Sequence, residues 1–401
     1  MRTILTAAVV GLAGAAYWYF SQAEDKPKNM GCLESKPDAE APEAKKPRVE
    51  TAAPAATNSA KPAKCVAPPA KKEEDKKKAL DPKDFMFSNL KGQVCIKAPG
   101  EINGQMFIIE DCEDCDIYIC DYTAQVQIDY CKNCRIFVGP SESSIFIRNC
   151  ENCKCIIACQ QYRARECIDC DTLLFASTAP VVESSKNMRF GCFRFFYLSL
   201  ASQFKAVKFS VYDNKWSEVY DFTPTDGNFS FLPSNTKASD LMKPLSAVGA
   251  SFVSKEEDEA HSDTEVVPLT VGVGSKEFEG KERAFILVLP SAVDEAPQTI
   301  FSKLGAGIHL IQTKQLKLTT QKAKQLLQKC TNPAISAAAT NGMCVGVEVA
   351  GTGALAAAQS AVAAGGGDSK AYVSLDPQAA AYENNLFFEQ WRDFAGTSVT
   401  K

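Results

Sequence analysis

The sequence predicts two folded parts, a parallel β-helix followed by a mixed α/β sandwich, behind a disordered amino-terminal tether. Three observations predict this. Cysteine pairs recur at a nearly constant pitch between residues 105 and 176. Beyond residue 280, apolar strand patterns alternate with amphipathic helix patterns. The first eighty residues hold one short apolar run and then a polar stretch rich in Pro, Ala, Lys and Glu.

The repeat carries the β-helix. Segments "IIEDCEDCDIYICD", "IDYCKNCRIFVG", "IRNCENCKCIIA" and "ARECIDCDTLLF" place the first cysteine of each C-x-x-C pair at Cys112, Cys131, Cys150 and Cys167, in steps of 19, 19 and 17. A fixed period near twenty residues is the signature of stacked units, each too small to bury its own apolar face. Zinc is the competing explanation, because Cys115 to Cys131 and Cys134 to Cys150 each leave a gap of 15 and match C-x2-C-x15-C-x2-C twice. Two features speak against it. The gaps carry alternating strand sequence such as "DIYICDYTAQVQID", and the pair recurs four times at one pitch. The expectation is therefore a stack of small interior thiols at a corner where leucine would be too large, with no metal site.

The chain of 401 residues has room for two domains at about 100–200 residues each. A formal net charge of −4 offers no bulk attraction for nucleic acid. Of 17 cysteines, 13 lie between Cys95 and Cys192, and an odd number in a repeat does not suit a closed disulfide framework. Free thiols in a reducing compartment are expected.

Residues 1–20, "MRTILTAAVVGLAGAAYWYF", have one charge and an aromatic end at Tyr17, Trp18 and Tyr19, the pattern of an anchor or a cleaved signal. Secretion would carry the thiol-rich repeat into an oxidising space, which favours an anchor. "MGCLESK" follows at Met30. If translation starts there, Gly31 heads a myristoylation signal, with Cys32 beside it for palmitoylation, and two acyl chains anchor where one is marginal. Residues 37–80 cannot bury enough apolar surface to offset their ordering entropy and read as a tether.

Inside the repeat, "CQQYRAREC" breaks the apolar rhythm with Gln160, Gln161, Arg163 and Arg165. Strand alternation sets Gln161, Arg163 and Arg165 on one face. By pattern alone this is either a solvated face paired with acids such as Glu166 and Asp169, or a site.

At these residues the chain resembles a family. "DPKDFMFSNLKG", "GQMFIIEDCEDCDIYICDYTAQVQIDYCKNC", "CKCIIACQQYRAREC", "PVVESSKNMRFGCFRFFYLSLASQFK" and "NKWSEVYDFTP" are similar to the retinitis pigmentosa 2 protein family, whose β-helical domain is shared with tubulin folding cofactor C. The resemblance covers residues 81 to about 235, and "MGCLESK" resembles the family's doubly acylated start, here displaced by 29 residues. It implies a right-handed parallel β-helix of the cofactor C type over 81–235. It also implies activation of a GTP-bound Arf-like small GTPase at a plasma-membrane or ciliary surface, in the trafficking of lipidated proteins. Carried over, Arg163 is the arginine finger, Gln160 its catalytic-site companion, Glu183 in "PVVESS" the acid that holds the arginine, and Phe222 in "YDFTP" a partner contact, with Arg165 and Gln161 beside them. GTP and magnesium belong to the partner, so no cofactor is expected. The cofactor C relationship keeps tubulin open as an alternative partner, and a non-catalytic GTPase-binding scaffold is the other alternative.

Residues 236–280, with "SKEEDEAHSDTE", read as a linker. "RAFILVLP", "GIHLIQTKQ" and "GMCVGVEVAG" read as strands, "VDEAPQTIFSKLG" and "TTQKAKQLLQKC" as helices, within an α/β domain over 281–375. This part resembles the ferredoxin-like, nucleoside diphosphate kinase-type domain of the family's longer members. Such a kinase needs a phosphorylated histidine, and only His261 and His309 exist, one in the acidic linker and one in an apolar strand, so a catalytically silent domain is expected. Residues 376–401 read as a helical tail in which Phe387, Phe388 and Trp391 share a docking face.

Overall fold

The structure is a computed structural model that describes residues 81–260 and 265–391. These residues belong to one compact unit. Its first part contains twelve strands: β1 (Met86–Ser88), β2 (Val94–Lys97), β3 (Phe107–Glu110), β4 (Asp116–Ile119), β5 (Val126–Asp129), β6 (Arg135–Arg148), β7 (Lys154–Arg165), β8 (Asp171–Ala176), β9 (Val181–Glu183), β10 (Met188–Cys192), β11 (Tyr220–Asp221) and β12 (Phe229–Phe231). Every pairing among them is parallel.

They form two ladders along a solenoid. One runs β1, β3, β5, the carboxy-terminal half of β6, that of β7, then β9 and β11. The other runs β2, β4, the amino-terminal halves of β6 and β7, then β8, β10 and β12. A third side is a file of single-residue bridges, Lys91, Glu113, Lys132, Glu151, Ile168 and Lys186, one for each of about six turns.

Each bridge residue sits between two left-handed residues: Asn89 and Gly92, Asp111 and Asp114, Tyr130 and Asn133, Asn149 and Asn152, Glu166 and Asp169, Ser184 and Asn187. Asn and Asp tolerate that conformation better than other side chains. They also bond along the stack, Asn133 Nδ2 to Asp114 Oδ1 at 3.1 Å and Asn152 Nδ2 to Asn133 Oδ1 at 2.9 Å. The paired kinks turn the next side chains inward, and those are the cysteines. Cys112, Cys131, Cys150 and Cys167 form one buried column, and Cys115, Cys134, Cys153 and Cys170 another. Thiols donate to carbonyls one turn away, Cys134 to Cys112 O and Cys153 to Cys131 O, each at 3.4 Å.

The register of the corners shows why these columns are scaffold. At Ser184 and Asn187 the equivalent inward positions are Ser185 and Met188, both buried, and Ser185 Oγ accepts the Cys167 N–H at 3.0 Å. The corner geometry therefore does not require a thiol at either inward position. Burial also pushes the interior thiols Cys120 and Cys155 well above the ordinary cysteine value, so they stay protonated.

The outer face of the second ladder is covered. Tyr118, Phe137, Ile156, Leu173 and Phe175 pack under the helix Leu200–Ala206 and under Phe193, Tyr197, Leu241, Met242 and Leu245. Residues 236–280, read from composition as a linker, therefore contribute packed apolar side chains through Leu241, Met242, Leu245, Ala250 and Val267. Charge fastens the same stretch. Lys243 Nζ lies 2.7 Å from Asp116 and Tyr118 Oη donates to Lys243 O at 2.9 Å. Overall acidity in 255–263 concealed the apolar residues on either side.

Four further strands, β13 (Arg283–Val288), β14 (His309–Lys317), β15 (Met343–Ala350) and β16 (Ala371–Val373), make an antiparallel sheet in the order β14-β15-β13-β16. This is the ferredoxin-like arrangement expected from the resemblance. Helices Ala296–Phe301 and Ala354–Ala364 contribute to the core on one face. Helices Thr320–Leu326 and Pro333–Ala338 contribute to the other, and the Thr319 side chain caps the first by accepting Lys322 N–H at 3.2 Å. The tail corrects an expectation. Phe387 and Phe388 are buried against Phe285 inside their own domain, in a π-helical turn at Asn385–Gln390, so the docking face is used internally.

Two outcomes are expected. Cys150→Leu overfills the corner and lowers unfolding free energy by about 1–3 kcal/mol in urea denaturation, whereas Cys150→Ser folds and keeps its bond to the carbonyl. Although burial alone would raise Asp116, Lys243 and Arg135 hold its carboxyl below the usual value. Its folded-state pKa is depressed, so its contribution is complete above the unfolded value of about 3.9 and is lost as pH falls through the lower folded value. Lys243→Met should flatten that acid-side loss of stability, read from denaturation midpoints between neutral pH and pH 3.

Candidate functional site

The first ladder leaves its outward face free of the covering helix. On β7, Tyr162 and Ala164 point into the buried stack, while Gln161, Arg163 and Arg165 lie on the opposite face. This is the alternation read from the sequence. Parallel register then aligns side chains from successive turns into files. Gln127, Phe146, Arg163, Val181 and Tyr220 make one file. Glu110, Asp129, Arg148, Arg165 and Glu183 make the next.

The cations in these files are treated differently. Arg148 is clamped by Asp129, with Nε to Oδ1 and Nη2 to Oδ2 both at 2.7 Å, and Nη2 also reaches Gln127 Oε1 at 3.0 Å. A bidentate carboxylate uses up a guanidinium fork. Arg163 is half-buried, and its guanidinium carbon lies 5.6 Å from the centre of the Phe146 ring. Arg165 is exposed and reaches Glu166 at 3.3 Å, an exposed pair of small energetic weight.

The other expected residues fall around this pair. Gln161 Oε1 accepts from Ser144 Oγ at 3.3 Å, one turn away. Gln160 is exposed just past the Cys159 corner and lines a cavity of about 460 Å³ with Glu142, Asn214, Lys215 and Gln315, among others. Glu183 stands in register with Arg165, and Val181 with Arg163. Phe222, whose N–H donates to Val182 O at 2.9 Å, is 39% exposed and meets the Tyr220 ring edge-on at 4.8 Å. Gly31, Cys32, the apolar start, the tether and His261 lie outside the described residues. His309 opens β14, its ring 4.9 Å from Phe278.

Sequence reasoning did not single out Phe146, Arg148 or Tyr220. The signal for the first two was the pitch itself, since they precede Arg163 and Arg165 by one repeat of 17 residues. Together the files present three arginines, Arg148 and Arg163 over the Phe146 ring and Arg165 beside them, with acids in the same file and an exposed aromatic pair at one end of the sheet. Among the described residues no group of three or more His, Cys, Asp or Glu could hold a metal ion.

The family model for tubulin binding cofactor C matches residues 104–222. Protein XRP2 of Gallus gallus is 38% identical over 316 residues, covering 78% of this chain and 87% of that protein. Protein XRP2 of Homo sapiens is 37% identical over 316 residues, 78% of this chain and 89% of that one. Protein XRP2 of Mus musculus is 42% identical over 257 residues, 64% and 73% respectively. A solved nucleoside diphosphate kinase of Aquifex aeolicus aligns with 27% of this chain and 94% of its own at 20% identity and a TM-score of 0.23; the sheet order stands on its own strand pairing.

The arginines belong to the surface and not to the scaffold. Arg163→Ala and Arg165→Ala are each expected to change unfolding free energy by no more than about 0.5–1 kcal/mol, measured by urea denaturation.

Proposed function

The chain belongs to the XRP2 family, and from that premise we propose that it is a GTPase-activating protein that supplies Arg163 in trans to a GTP-bound Arf-like small GTPase. The observation that carries the reading is Arg163 itself, facing outward from the middle of a parallel ladder and resting on an aromatic ring. Charge spreads over the oxygens of the departing phosphoryl group, and a planar, always-ionised guanidinium can bond two of them. An arginine supplied in this way accelerates hydrolysis roughly 10³- to 10⁵-fold, about 4–7 kcal/mol of barrier. A β-helical mount spends no loop entropy on docking.

In this reading Gln160 and Gln161 border the nucleotide edge, Glu183 and Arg165 set the local charge, and Phe222 packs against the partner. The partner brings GTP, magnesium and the glutamine that orients water. Membrane tethering through Gly31 and Cys32, or through the apolar start, places the reaction at the cytoplasmic face of a plasma or ciliary membrane and suits traffic of lipidated cargo. No phosphotransfer is assigned to the α/β domain. The second reading, hydrolysis triggered within a tubulin complex, is favoured by the cofactor C match over residues 104–222.

Single-turnover hydrolysis by a GTP-loaded Arf-like GTPase tests the first reading. Wild type should accelerate it, and Arg163→Ala should lose roughly 10³-fold or more of that acceleration. Equal hydrolysis with both proteins leaves a GTPase-binding scaffold, and acceleration only with tubulin supports the second reading.

A further inference from the structure

We propose that Asn214 is a positioning residue for Gln160, and that the α/β domain braces the arginine face through it. The inference rests on the finger reading, in which Gln160 borders the nucleotide. Gln160 sits at the corner where the second ladder runs out. β7 and β8 pair as far as Cys159 and Ala176, but among the described residues β10 follows β8 only as far as Cys192 opposite Leu174. Past that point the next turn is supplied by residues 214 and 215. Asn214 Oδ1 accepts the Ala176 N–H at 3.0 Å, Asn214 Nδ2 donates to Leu174 O at 3.1 Å, and the Lys215 N–H donates to Ala176 O at 2.8 Å. A carboxamide carries the same donor and acceptor as a peptide group, so Asn214 completes the ladder in place of a strand.

On one side of this contact, Ala176 opens the stretch that underlies Gln160. The Ser177 N–H donates to Cys159 O at 3.2 Å, the Thr178 N–H and Oγ1 both donate to Gln160 O at 3.0 Å, and Val181 stands in register with Arg163. On the other side, the loop that carries Asn214 is tied to the edge strand β14. Asp213 Oδ1 accepts the Gln315 N–H at 2.6 Å, and Tyr212 O accepts from Thr313 Oγ1 at 2.8 Å. Two residues past Asn214, the Trp216 N–H also donates to Asn214 Oδ1, at 3.2 Å, and the Trp216 indole donates to Thr270 Oγ1 at 2.9 Å. Thr270 bridges to Leu310 of β14. That strand therefore holds the loop before and after Asn214. An exposed glutamine keeps free side-chain torsions, so its aim depends on an anchored backbone, and a displacement of about 1 Å can cost up to ~100-fold in rate. A domain to which no phosphotransfer is assigned thereby takes a mechanical part in the reaction.

The test has two arms. In single-turnover GTP hydrolysis, Asn214→Ala should lower the maximal rate about three- to ten-fold and leave the half-saturating activator concentration within about twofold. The double variant Asp213→Ala, Thr313→Val, which removes both ties of β14 to residues 212 and 213, should lower it about two- to five-fold. In a Gln160→Ala background, Asn214→Ala should then change nothing further. In the isolated protein, amide hydrogen exchange at Thr178 should quicken about tenfold in Asn214→Ala and in the double variant. Exchange at Lys132, whose N–H donates to Cys112 O in an earlier turn, should stay as in wild type. Unchanged exchange at Thr178, equal quickening at Lys132, an unaltered rate in Asn214→Ala, or a loss that persists without Gln160 overturns the inference. Effects in Asn214→Ala with none in the double variant overturn the part given to the α/β domain. Failure of wild type to stimulate any GTPase overturns the finger reading instead, and the exchange arm still decides whether Asn214 braces the corner.

Discussion

The stacked parallel hydrogen-bond ladder is the constraint on which everything else depends. Each backbone group of a turn pairs with the turn above and below, so the pitch must stay within a residue or two of constancy, and corners must recur at the same place. Left-handed residues, most of them Asp and Asn, make those corners, and the side chains that follow them turn into the buried stack. Cysteine at eight corner positions is the packing answer to that geometry.

The same constraint builds the candidate site. Parallel register carries a side chain on one turn directly beside its equivalent on the next, so residues 17 to 19 apart become neighbours at about 4.8 Å. Phe146, Arg163 and Val181 meet in this way, as do Arg148, Arg165 and Glu183. A charged face assembled by register needs no loop to hold it. The second ladder is covered by an aromatic layer and by Leu241, Met242, Leu245, Ala250 and Val267, leaving the arginine face and the charged file of single-residue bridges outward.

The α/β domain closes its own core with the aromatic tail. Gly346 leaves room on β15 for the Phe387 ring, which a Cβ at that position would strike. An amphipathic tail with apolar residues at helical spacing is compatible with an external partner or with the domain's own sheet, and here its own sheet takes it. The docking reading failed because spacing describes which residues share a face and not what that face meets.

Much was legible in the residues alone. Period, strand alternation and the corner composition determined the β-helix and the shared face of Gln161, Arg163 and Arg165, because these are local properties with periods of about 19 and 2. The strands β13, β14 and β15 were legible for the same reason, whereas the helix Ala354–Ala364 was hidden by a run of Ala and Gly with little amphipathic contrast. Only the tertiary structure decided that residues 236–280 pack on the solenoid, that Arg148 is spent on Asp129 while Arg163 rests on Phe146, and that Glu183 stands beside Arg165. Those outcomes depend on register between distant segments, and register is set by the stack as a whole, not by any one of its turns.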